Sequence, residues 1–369
     1  MAIRFLNRLF TVENRHLALI AFSLFLMNQL LELSFLFAFK YQYSNLCGWD
    51  CIWYTGIVTH GYDLSPHVFA NFPKGDVANW AFFPLLPMTA FVIKSSIGIV
   101  SSAYAVVITS KIFFALSIFA FIKFGLAYYP RLNPWVLGSI ASFNPYVIYA
   151  NAGYTESAFL LFTCLFFYFF KNKQFLIAGI MGGILSAVRL AGIFALFAII
   201  PSWIELFQKA NAKSKIALLL MALLMPLGLS IFMVYLFWLC GDALAFIHIQ
   251  KAWGRTIQWP WIVLYEGLTG SPLFIYWALI SVLSLAIAVY FLFHRTVELG
   301  LFLAMSTLIP LSTGLLSMPR YIFWQAPFLL FLAITVSKKS YLWKIAIALS
   351  ILGMSYLYYF WPTGSNWVI

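Results

Sequence analysis

Apolar runs of about twenty residues, separated by short basic clusters, are the feature that most limits the folds open to this chain. Residues 17–39 form the first run, and further runs follow between residues 101 and 360. A helical run of this length matches the hydrocarbon core of a bilayer. With 64% of its residues hydrophobic and 9% charged, the chain is also more apolar than a soluble domain. The sequence therefore predicts an all-α, polytopic membrane protein that forms one domain over residues 1–369.

The basic residues predict how the chain is oriented. The net charge of +12 is spread over short clusters and forms no basic stripe, so we expect no nucleic-acid partner. Lysine and arginine that flank membrane helices tend to stay on the cytoplasmic side. Counting the runs by this rule predicts about eleven membrane-spanning helices, with residues 1–16 inside and the C-terminus outside. No cleavage-site pattern follows the first run, which we expect to be retained.

Two polar intervals, about residues 40–100 and 240–272, are predicted to lie on the outer face and to carry interfacial helices. Within the first interval, Pro84 and Pro87 are expected to break any regular helix. Residues 81–98 are therefore interpreted as an amphipathic or re-entrant piece on the outer face. A full span is the alternative for this segment, and it would change the orientation of the helices after it.

Two other segments are also expected to differ from straight spans. Residues 175–208 are too short for two complete crossings, so they are predicted to form two short helices that meet between Gly182-Gly183 and Gly192. Residues 241–255 are predicted to form a helix along the membrane surface, because apolar residues recur there at helical spacing: Phe246, Ile249 and Trp253.

Asp50 lies just beyond the first predicted span, in the aromatic sequence Gly48-Trp49-Asp50. Aromatic neighbours would partly desolvate its carboxyl group, which raises a carboxyl pKa toward the range useful for a general base. We predict Asp50 as a catalytic base, and the alternative is a cap of the next helix. Cys47 and Cys51 flank this residue. They could form a disulfide outside the cytosol, although the sequence favours two free thiols.

Three further charges are predicted to share the site on the outer face. Glu156 would bind the acceptor or support Asp50, and the alternative is a first-turn residue favoured by the helix dipole. Arg189 has apolar neighbours and therefore needs an anionic partner, either a carboxylate such as Glu156 or a ligand phosphate. Arg320 breaks the positive-inside pattern, which favours a phosphate ligand, with a structural ion pair as the alternative.

The remaining polar residues complete the predicted site. His248 is a third candidate for phosphate binding, with an interface residue as the alternative. The predicted substrate-binding residues lie in or beside the outer loops: Trp49, Asp76, Tyr154, Asp242 and Gln250. Neither a metal-ligand spacing nor a glycine-rich nucleotide loop occurs in the sequence, so no cofactor is expected. Glu32, inside the first span, is interpreted as a paired or interfacial acid without a catalytic role.

Several of these motifs, taken in order along nearly the whole chain, resemble the PIG-V family and its bacterial relatives. That family is the second mannosyltransferase of GPI-anchor assembly and belongs to the GT-C class of integral-membrane glycosyltransferases. The matching elements are Trp49-Asp50 with Gly61-Tyr62, the run from Ala81 to Pro87, Asn144-Pro145 before Tyr154-Thr155-Glu156-Ser157, Arg189 with Gly192, and Pro319-Arg320-Tyr321.

The resemblance implies a GT-C-like helical fold and a polyprenyl- or dolichyl-phosphate mannose donor. It also implies that an acid in the first outer loop, at the position of Asp50, is the catalytic base. Leu190-Ala191 departs from the more polar residues expected after Arg189, and the chain is shorter than eukaryotic members. Both differences favour a bacterial relative with another acceptor.

The sequence thus predicts an inverting glycosyltransferase that transfers a hexose, by preference mannose, to a lipid-linked or glycolipid acceptor on the outer face. The expected location is the plasma membrane of a bacterium or the endoplasmic reticulum of a eukaryote, where membrane lipids would surround the donor's tail. A transporter or lipid flippase is the main alternative, and a non-catalytic subunit is another. Transporters often contain inverted repeats and midplane charges, whereas these polar residues gather on one face.

Overall fold

The computed structural model describes residues 12–68, 76–294, 296–363 and 365. These residues are predominantly helical, and their β structure amounts to one isolated bridge between His67 and Val77. The prediction of an all-α chain is confirmed. The cytoplasmic position expected for residues 1–16 falls, for residues 1–11, outside the described residues.

The helices follow one another with short connections. Those of the first half are α1 Val12–Ala38, α2 Asp50–His60, α3 Leu85–Ile97, α4 Ser102–Tyr128, α5 Pro134–Ser142, α6 Ile148–Asn151, α7 Glu156–Lys171, α8 Phe175–Ser186, α9 Phe194–Ala198 and α10 Ile200–Lys209. Those of the second half are α11 Ala212–Leu224, α12 Leu227–Cys240, α13 Ala245–His248, α14 Pro260–Leu268, α15 Pro272–Phe293, α16 Val297–Leu311, α17 Met318–Ile322, α18 Ala326–Val336 and α19 Ser340–Phe360. Short 3-10 turns are Tyr43–Leu46, Asn79–Ala81, Leu190–Ile193, Ile249–Trp253 and Trp361–Thr363.

Among the described residues, 5 helical stretches are long and apolar enough to cross a membrane, or up to 6 if the bent segment from Leu190 to Lys209 is one span. The five are Val12–Ala38, Ser102–Tyr128, Ala212–Cys240, Pro272–Phe293 and Ser340–Thr363. The other apolar helices, α3, α8, α16 and α18, have 11 to 15 residues. At about 1.5 Å per residue they are shorter than a hydrocarbon core of about 30 Å. By the length and apolar composition of its helices, the chain is a polytopic membrane protein. The number of eleven crossings stays a prediction.

Helix α4 lies at the centre of the bundle. It packs against α1, α3, α5 and, most extensively, α7. Its most apolar window is 67% buried inside the protein, compared with 22% for the Ala212–Cys240 stretch and for α19. The apolar side chains that the outer helices expose need no water, so these helices are suited to face lipid.

The two prolines of the first outer interval begin a helix and do not break one. Helix α3 begins at Leu85, directly after Pro84, and Pro87 lies in its first turn. Proline is tolerated there because the backbone N–H it lacks would have no partner within the helix. The expected break is therefore wrong. The first N–H of α3, that of Leu85, donates to the Ala187 carbonyl 3.2 Å away and ties this turn to the end of α8.

The interval of residues 175–208 is broken at Ala187–Arg189, between the glycines that the sequence singled out. Helix α8 ends at Ser186, and Arg189 has extended backbone angles (φ −165°, ψ 161°) before the chain turns into Leu190–Ile193. Gly192 is needed at this turn because an added Cβ would collide with the Leu185 carbonyl group. The break leaves Arg189 at the end of a helix, where its side chain reaches the neighbouring α7.

Candidate active site

Four charged side chains from separate parts of the chain meet at one end of the bundle. Asp50 Oδ2 lies 3.2 Å from Arg320 Nη2, and Glu156 Oε1 lies 3.0 Å from Arg320 Nε. Glu156 Oε1 also lies 3.3 Å from Arg189 Nη2. The four residues thus form a chain of alternating charge, which we call the charge cluster: Asp50, Arg320, Glu156 and Arg189. The sequence named all four as site residues, and the structure brings them together.

The helix α2 begins at Asp50, and its N-cap is Trp49. Trp49 has φ 54°, a left-handed backbone conformation that costs about 1–3 kcal/mol for a bulky residue and tends to occur at functional sites. The alternative interpretation of Asp50 as the helix cap is not supported, because Trp49 holds the N-cap position and the Asp50 carboxylate is paired with Arg320. Its side chain keeps 33% of its surface exposed, so Asp50 is the accessible acid of the charge cluster.

Tyr154 holds the turn in which Asp50 lies. The backbone N–H of Asp50 donates to the Tyr154 hydroxyl at 3.1 Å, and that hydroxyl donates to the Gly48 carbonyl at 3.3 Å. Cys47 and Cys51 are joined by a disulfide that encloses the same turn. The free thiols favoured from the sequence are therefore wrong, because the entry into α2 places these residues, 4 positions apart, with their Cα atoms 5.2 Å from each other.

Glu156 is the first residue of α7, so it is both a first-turn acid and a member of the charge cluster. Its side chain is 1% exposed. A buried carboxylate is tolerated only with strong partners, and the two arginines supply them. Among the described residues, however, Glu156 Oε2 and Arg189 Nε have no hydrogen-bond partner. These buried polar atoms are available to water or to a substrate.

Aromatic rings surround the two guanidinium groups. Arg320 Cζ lies 5.0, 5.2 and 4.9 Å from the ring centres of Tyr149, Tyr154 and Tyr321. Arg189 Cζ lies 4.6 Å from the Phe159 ring. Although burial lowers the pKa of Arg320, Glu156 and Asp50 outweigh it and hold this pKa above its usual range. Arg320 is therefore a charged group in a partly apolar setting, where electrostatic interactions are strong.

The sequence did not select Arg255 and Tyr321 as site residues. Arg255 Nη2 donates to the Tyr321 hydroxyl at 3.2 Å, and Arg255 Nη1 donates to Thr313 Oγ1 at 3.3 Å. Burial would raise the pKa of the Tyr321 phenol, but Arg255 and Arg320 together hold it below its usual value. The sequence did contain a signal for Arg255. This residue lies in the predicted outer interval of residues 240–272, so it departs from the positive-inside pattern as Arg320 does.

Four other predicted residues lie apart from the charge cluster. His248 Nδ1 and Asp242 Oδ2 are 2.7 Å apart in an exposed pair, and the hydrogen bond with His248 holds the pKa of Asp242 below its usual value. Gln250 Nε2 donates to the Phe246 carbonyl at 3.5 Å, and Asp76 is exposed. In the described part of the chain, none of the four has an ion pair or hydrogen bond to the charge cluster.

Residues 241–255 do not form the single surface helix that their spacing predicts. The segment contains α13 and the turn Ile249–Trp253, and left-handed glycines lie at both ends. Phe246 and Ile249 are buried in a small core with Phe83 and Phe232, and the Trp253 ring lies 5.6 Å from the Trp53 ring. The apolar residues therefore pack onto the protein itself, which explains why the predicted surface helix is wrong.

Trp49 lies between the charge cluster and a surface cavity. Its indole N–H donates to the Trp361 carbonyl at 3.4 Å. Together with Asn45, Gly48 and Trp361 it lines a cavity of about 320 Å³. An aromatic ring beside such a cavity can pack against the apolar face of a sugar. The described residues include no group of three or more His, Cys, Asp or Glu side chains that could hold a metal ion.

Comparison of the chain with protein-family models, with curated proteins and with solved structures finds no match. The similarity to the PIG-V family stays a prediction that depends on the motifs alone.

Proposed function

We propose that this protein is an integral-membrane glycosyltransferase. It transfers a hexose, by preference mannose, from a polyprenyl- or dolichyl-phosphate donor to a lipid-linked or glycolipid acceptor. The observation that carries the proposal is the charge cluster, in which a partly exposed Asp50 carboxylate lies 3.2 Å from a guanidinium group that two carboxylates share. This arrangement combines a proton acceptor with guanidinium groups that hold the acidic side chains in position.

The reaction needs one base and one site for a departing phosphate. The acceptor hydroxyl oxygen bonds to the anomeric carbon of the donor sugar while the bond from that carbon to the phosphate oxygen breaks. The electron pair of the broken bond leaves with the lipid phosphate, and the hydroxyl proton passes to Asp50. Attack opposite the leaving group inverts the anomeric configuration.

Each residue of the charge cluster has a separate part in this step. Asp50 accepts the proton. Arg320 holds the Asp50 carboxylate in place, and Glu156, itself paired with Arg189, fixes the position of Arg320. Tyr154 positions the backbone of Asp50. Because Glu156 is buried, it acts through the arginines as a positioning residue and not as a second base.

The proposed site faces the outer side of the membrane. Two lines of support are independent of each other: the distribution of basic clusters, which gives about eleven crossings with the C-terminus outside, and the Cys47–Cys51 disulfide beside Asp50. Disulfides persist in the periplasm, in the lumen of the endoplasmic reticulum and outside the cell. A lipid-phosphate sugar is the donor class available on that side without a bound nucleotide.

One experiment tests the reaction class. The full-length protein in nanodiscs is incubated with radiolabelled polyprenyl-phosphate mannose and a membrane lipid extract, and the labelled lipid products are separated and identified. The proposal requires a new labelled glycolipid of inverted configuration. Release of free mannose, or no product when the donor is intact and the protein is folded, would count against it.

The transport alternative has one observation in its favour, a charged pair inside the bundle. Glu32 and Lys111 lie on the long helices α1 and α4, with their charged atoms 2.5 Å apart. Transporters use intramembrane charges of this kind. Uptake of a labelled solute or lipid into proteoliposomes, without a glycosylated product, would favour this function over sugar transfer.

A further inference from the structure

Arg255 connects the charge cluster to a second cavity. One of its terminal nitrogens donates to the Tyr321 hydroxyl, and Tyr321 packs against Arg320. The other donates to Thr313 Oγ1, and Thr313 lines a cavity of about 440 Å³. A series of contacts therefore leads from Asp50 through Arg320, Tyr321 and Arg255 to Thr313 at this cavity.

We propose that Arg255, together with the Thr313 hydroxyl, binds the phosphate of the lipid-linked sugar donor. This inference depends on the proposed function and assigns to Arg255 a task that was expected of Arg320, Arg189 and His248. The ligand chemistry is a phosphate ester on an isoprenoid chain. Arginine is suited to it because two of its N–H groups can bind two phosphate oxygens at once.

The other candidates for phosphate binding already have anionic partners. Arg320 is paired with both Asp50 and Glu156, and Arg189 is paired with Glu156. His248 is paired with Asp242 in an exposed position. Among the described residues, Arg255 is in no ion pair, and its side chain donates to the hydroxyl groups of Thr313 and Tyr321. Its charge is therefore not offset by a carboxylate of the described residues, and a ligand anion can neutralise it.

The charge balance of the reaction supports the same assignment. Asp50 and Glu156 offset Arg189 and Arg320, which leaves the positive charge of Arg255 to match the single negative charge of a phosphodiester donor. After transfer, the lipid phosphate can carry a second negative charge, while Asp50 has lost its own by taking the proton. The charge cluster, Arg255 and the donor phosphate together are neutral before and after the step, which is favourable in a medium of low polarity; this sum does not include the exposed Glu266 of the cavity lining.

The cavity has the two kinds of lining that a lipid phosphate requires. Thr256, Gln258 and Thr313 supply neutral polar groups, and Val263, Phe274 and Leu315 supply apolar ones. Glu266 adds a carboxylate to the lining, and Arg255 is not itself a lining residue but reaches the cavity through its hydrogen bond to Thr313. The cavity is lined in part by α14, and aromatic side chains are exposed on this helix and at the residue before it: Trp259, Trp261 and Tyr265. Exposed tryptophan and tyrosine are characteristic of the headgroup level of a bilayer, the depth at which a lipid phosphate lies. The donor can therefore enter sideways from the membrane.

The test measures binding, so that it does not depend on turnover. Full-length protein in nanodiscs is titrated with farnesyl monophosphate, farnesol, inorganic phosphate and short-chain phosphatidylglycerol. The variants are Arg255→Gln, Arg255→Lys and Thr313→Val, with Lys251→Gln as a control that removes an exposed cation from the same outer loop. We expect Arg255→Gln to weaken farnesyl monophosphate binding about 10- to 100-fold, the effect of losing a charged hydrogen bond. Lys251→Gln should bind as the wild type does.

The expected result is that farnesyl monophosphate binds more tightly than the other three compounds and that the difference disappears in Arg255→Gln. Arg255→Lys should retain part of the binding, and Thr313→Val should lose about 3- to 10-fold, which keeps the test decisive if Arg255→Gln fails to fold. Equal binding of farnesyl monophosphate to wild type and Arg255→Gln would overturn the inference. Equal affinity for phosphatidylglycerol or for inorganic phosphate would overturn it too, since the site would then recognise a phospholipid headgroup or a free anion.

The failure of this inference is distinguishable from the failure of the proposed function. If sugar transfer depends on Asp50 while Arg255→Gln keeps the wild-type KM for the donor, the function stands and the inference is wrong. If Arg255 is required for farnesyl monophosphate binding but no glycolipid is made, the inference stands and the reaction class is wrong.

Discussion

Two groups of buried charges lie in this helix bundle, and they are built in opposite ways. The first is the pair of Glu32 and Lys111 on the long helices α1 and α4. Lys111 also donates to Gln29 at 2.7 Å, and the Tyr358 hydroxyl donates to the second oxygen of Glu32 at 2.8 Å. Both carboxylate oxygens of Glu32 are thus bonded. The pair is a closed network on regular helices.

In the charge cluster around Arg320, by contrast, the hydrogen-bonding capacity of the acidic side chains is not fully used. Its members come from two helix starts, a helix break and the short helix α17. One acid, Asp50, is 33% exposed, and the buried Glu156 Oε2 has no hydrogen-bond partner among the described residues. A buried charge alone therefore does not mark a functional site. A satisfied pair on long helices stabilises the fold, whereas an unsatisfied group on irregular backbone can bind and react.

The largest effect on stability is expected from breaking the closed pair. Lys111→Met leaves the Glu32 carboxylate buried without its cation, which costs about 3–5 kcal/mol. The measurement is the unfolding midpoint in detergent. The double variant Lys111→Met with Glu32→Gln should recover much of the loss, because no charge is then left unpaired. If Lys111→Met were as stable as wild type, the pair of Glu32 and Lys111 would not have the stabilising role that distinguishes it from the charge cluster.

The next effect is expected at Glu156. Glu156→Gln removes the charge that two arginines share, so the rate of transfer should fall about 100-fold, the loss of roughly 2–3 kcal/mol that follows when one partner of a buried charge pair is removed. The buried acid Glu298, which accepts a hydrogen bond from the Tyr128 hydroxyl, offers a matched control. Glu298→Gln should keep kcat near that of wild type. Equal kcat values for the two variants would show that Glu156 has only a structural role.

A smaller effect is expected when the turn that carries Asp50 is loosened. Tyr154→Phe removes a hydroxyl that accepts the Asp50 N–H and donates to Gly48, at a cost of about 1 kcal/mol. We expect kcat to fall about fivefold, while the KM for the donor changes little, because the base and not the phosphate is displaced. Tyr341→Phe, on an exposed ring, is the control. A rise in KM at constant kcat would place Tyr154 in substrate binding instead.

The smallest effect is expected at His248. His248→Ala removes one partner of an exposed pair with Asp242, so transfer should change by less than about threefold. The comparison of kcat/KM with wild type under identical lipid conditions measures this directly. A loss of about 30-fold or more, equivalent to about 2 kcal/mol, would return His248 to the site.

The sequence located the charge cluster because charges in apolar or outer-face surroundings are rare and informative. Asp50, Glu156, Arg189 and Arg320 were all named on that ground. The pair of Arg189 and Glu156 was one of the two alternatives predicted for Arg189. The pairing of Arg320 with Asp50 was not predictable, because the two meet only when α17 and α2 are brought together by the fold. The contacts of Arg255 with Thr313 and Tyr321 were missed because they join parts of the chain that are more than fifty residues apart.

Local sequence rules failed where tertiary contacts decided the outcome. Pro84 and Pro87 were expected to break a helix, yet they start α3, whose first N–H is bonded to Ala187. Cys47 and Cys51 were expected to be free, yet the start of α2 brings them into contact. The long apolar helices were predictable because runs of about twenty apolar residues match the thickness of a bilayer. The ends of the short helices were not, because they depend on contacts with residues that are distant in the chain.

The central claim, that Asp50 is the base, is tested most directly by the rate of sugar transfer in Asp50→Asn. Wild type, Asp50→Asn and the exposed-acid control Glu205→Gln are compared at equal amounts of folded protein, with radiolabelled polyprenyl-phosphate mannose and saturating acceptor lipid. The amide cannot accept the proton, so we predict a rate at least about 100-fold below that of wild type, with donor binding retained and Glu205→Gln unchanged. Transfer by Asp50→Asn at the wild-type rate would contradict the claim.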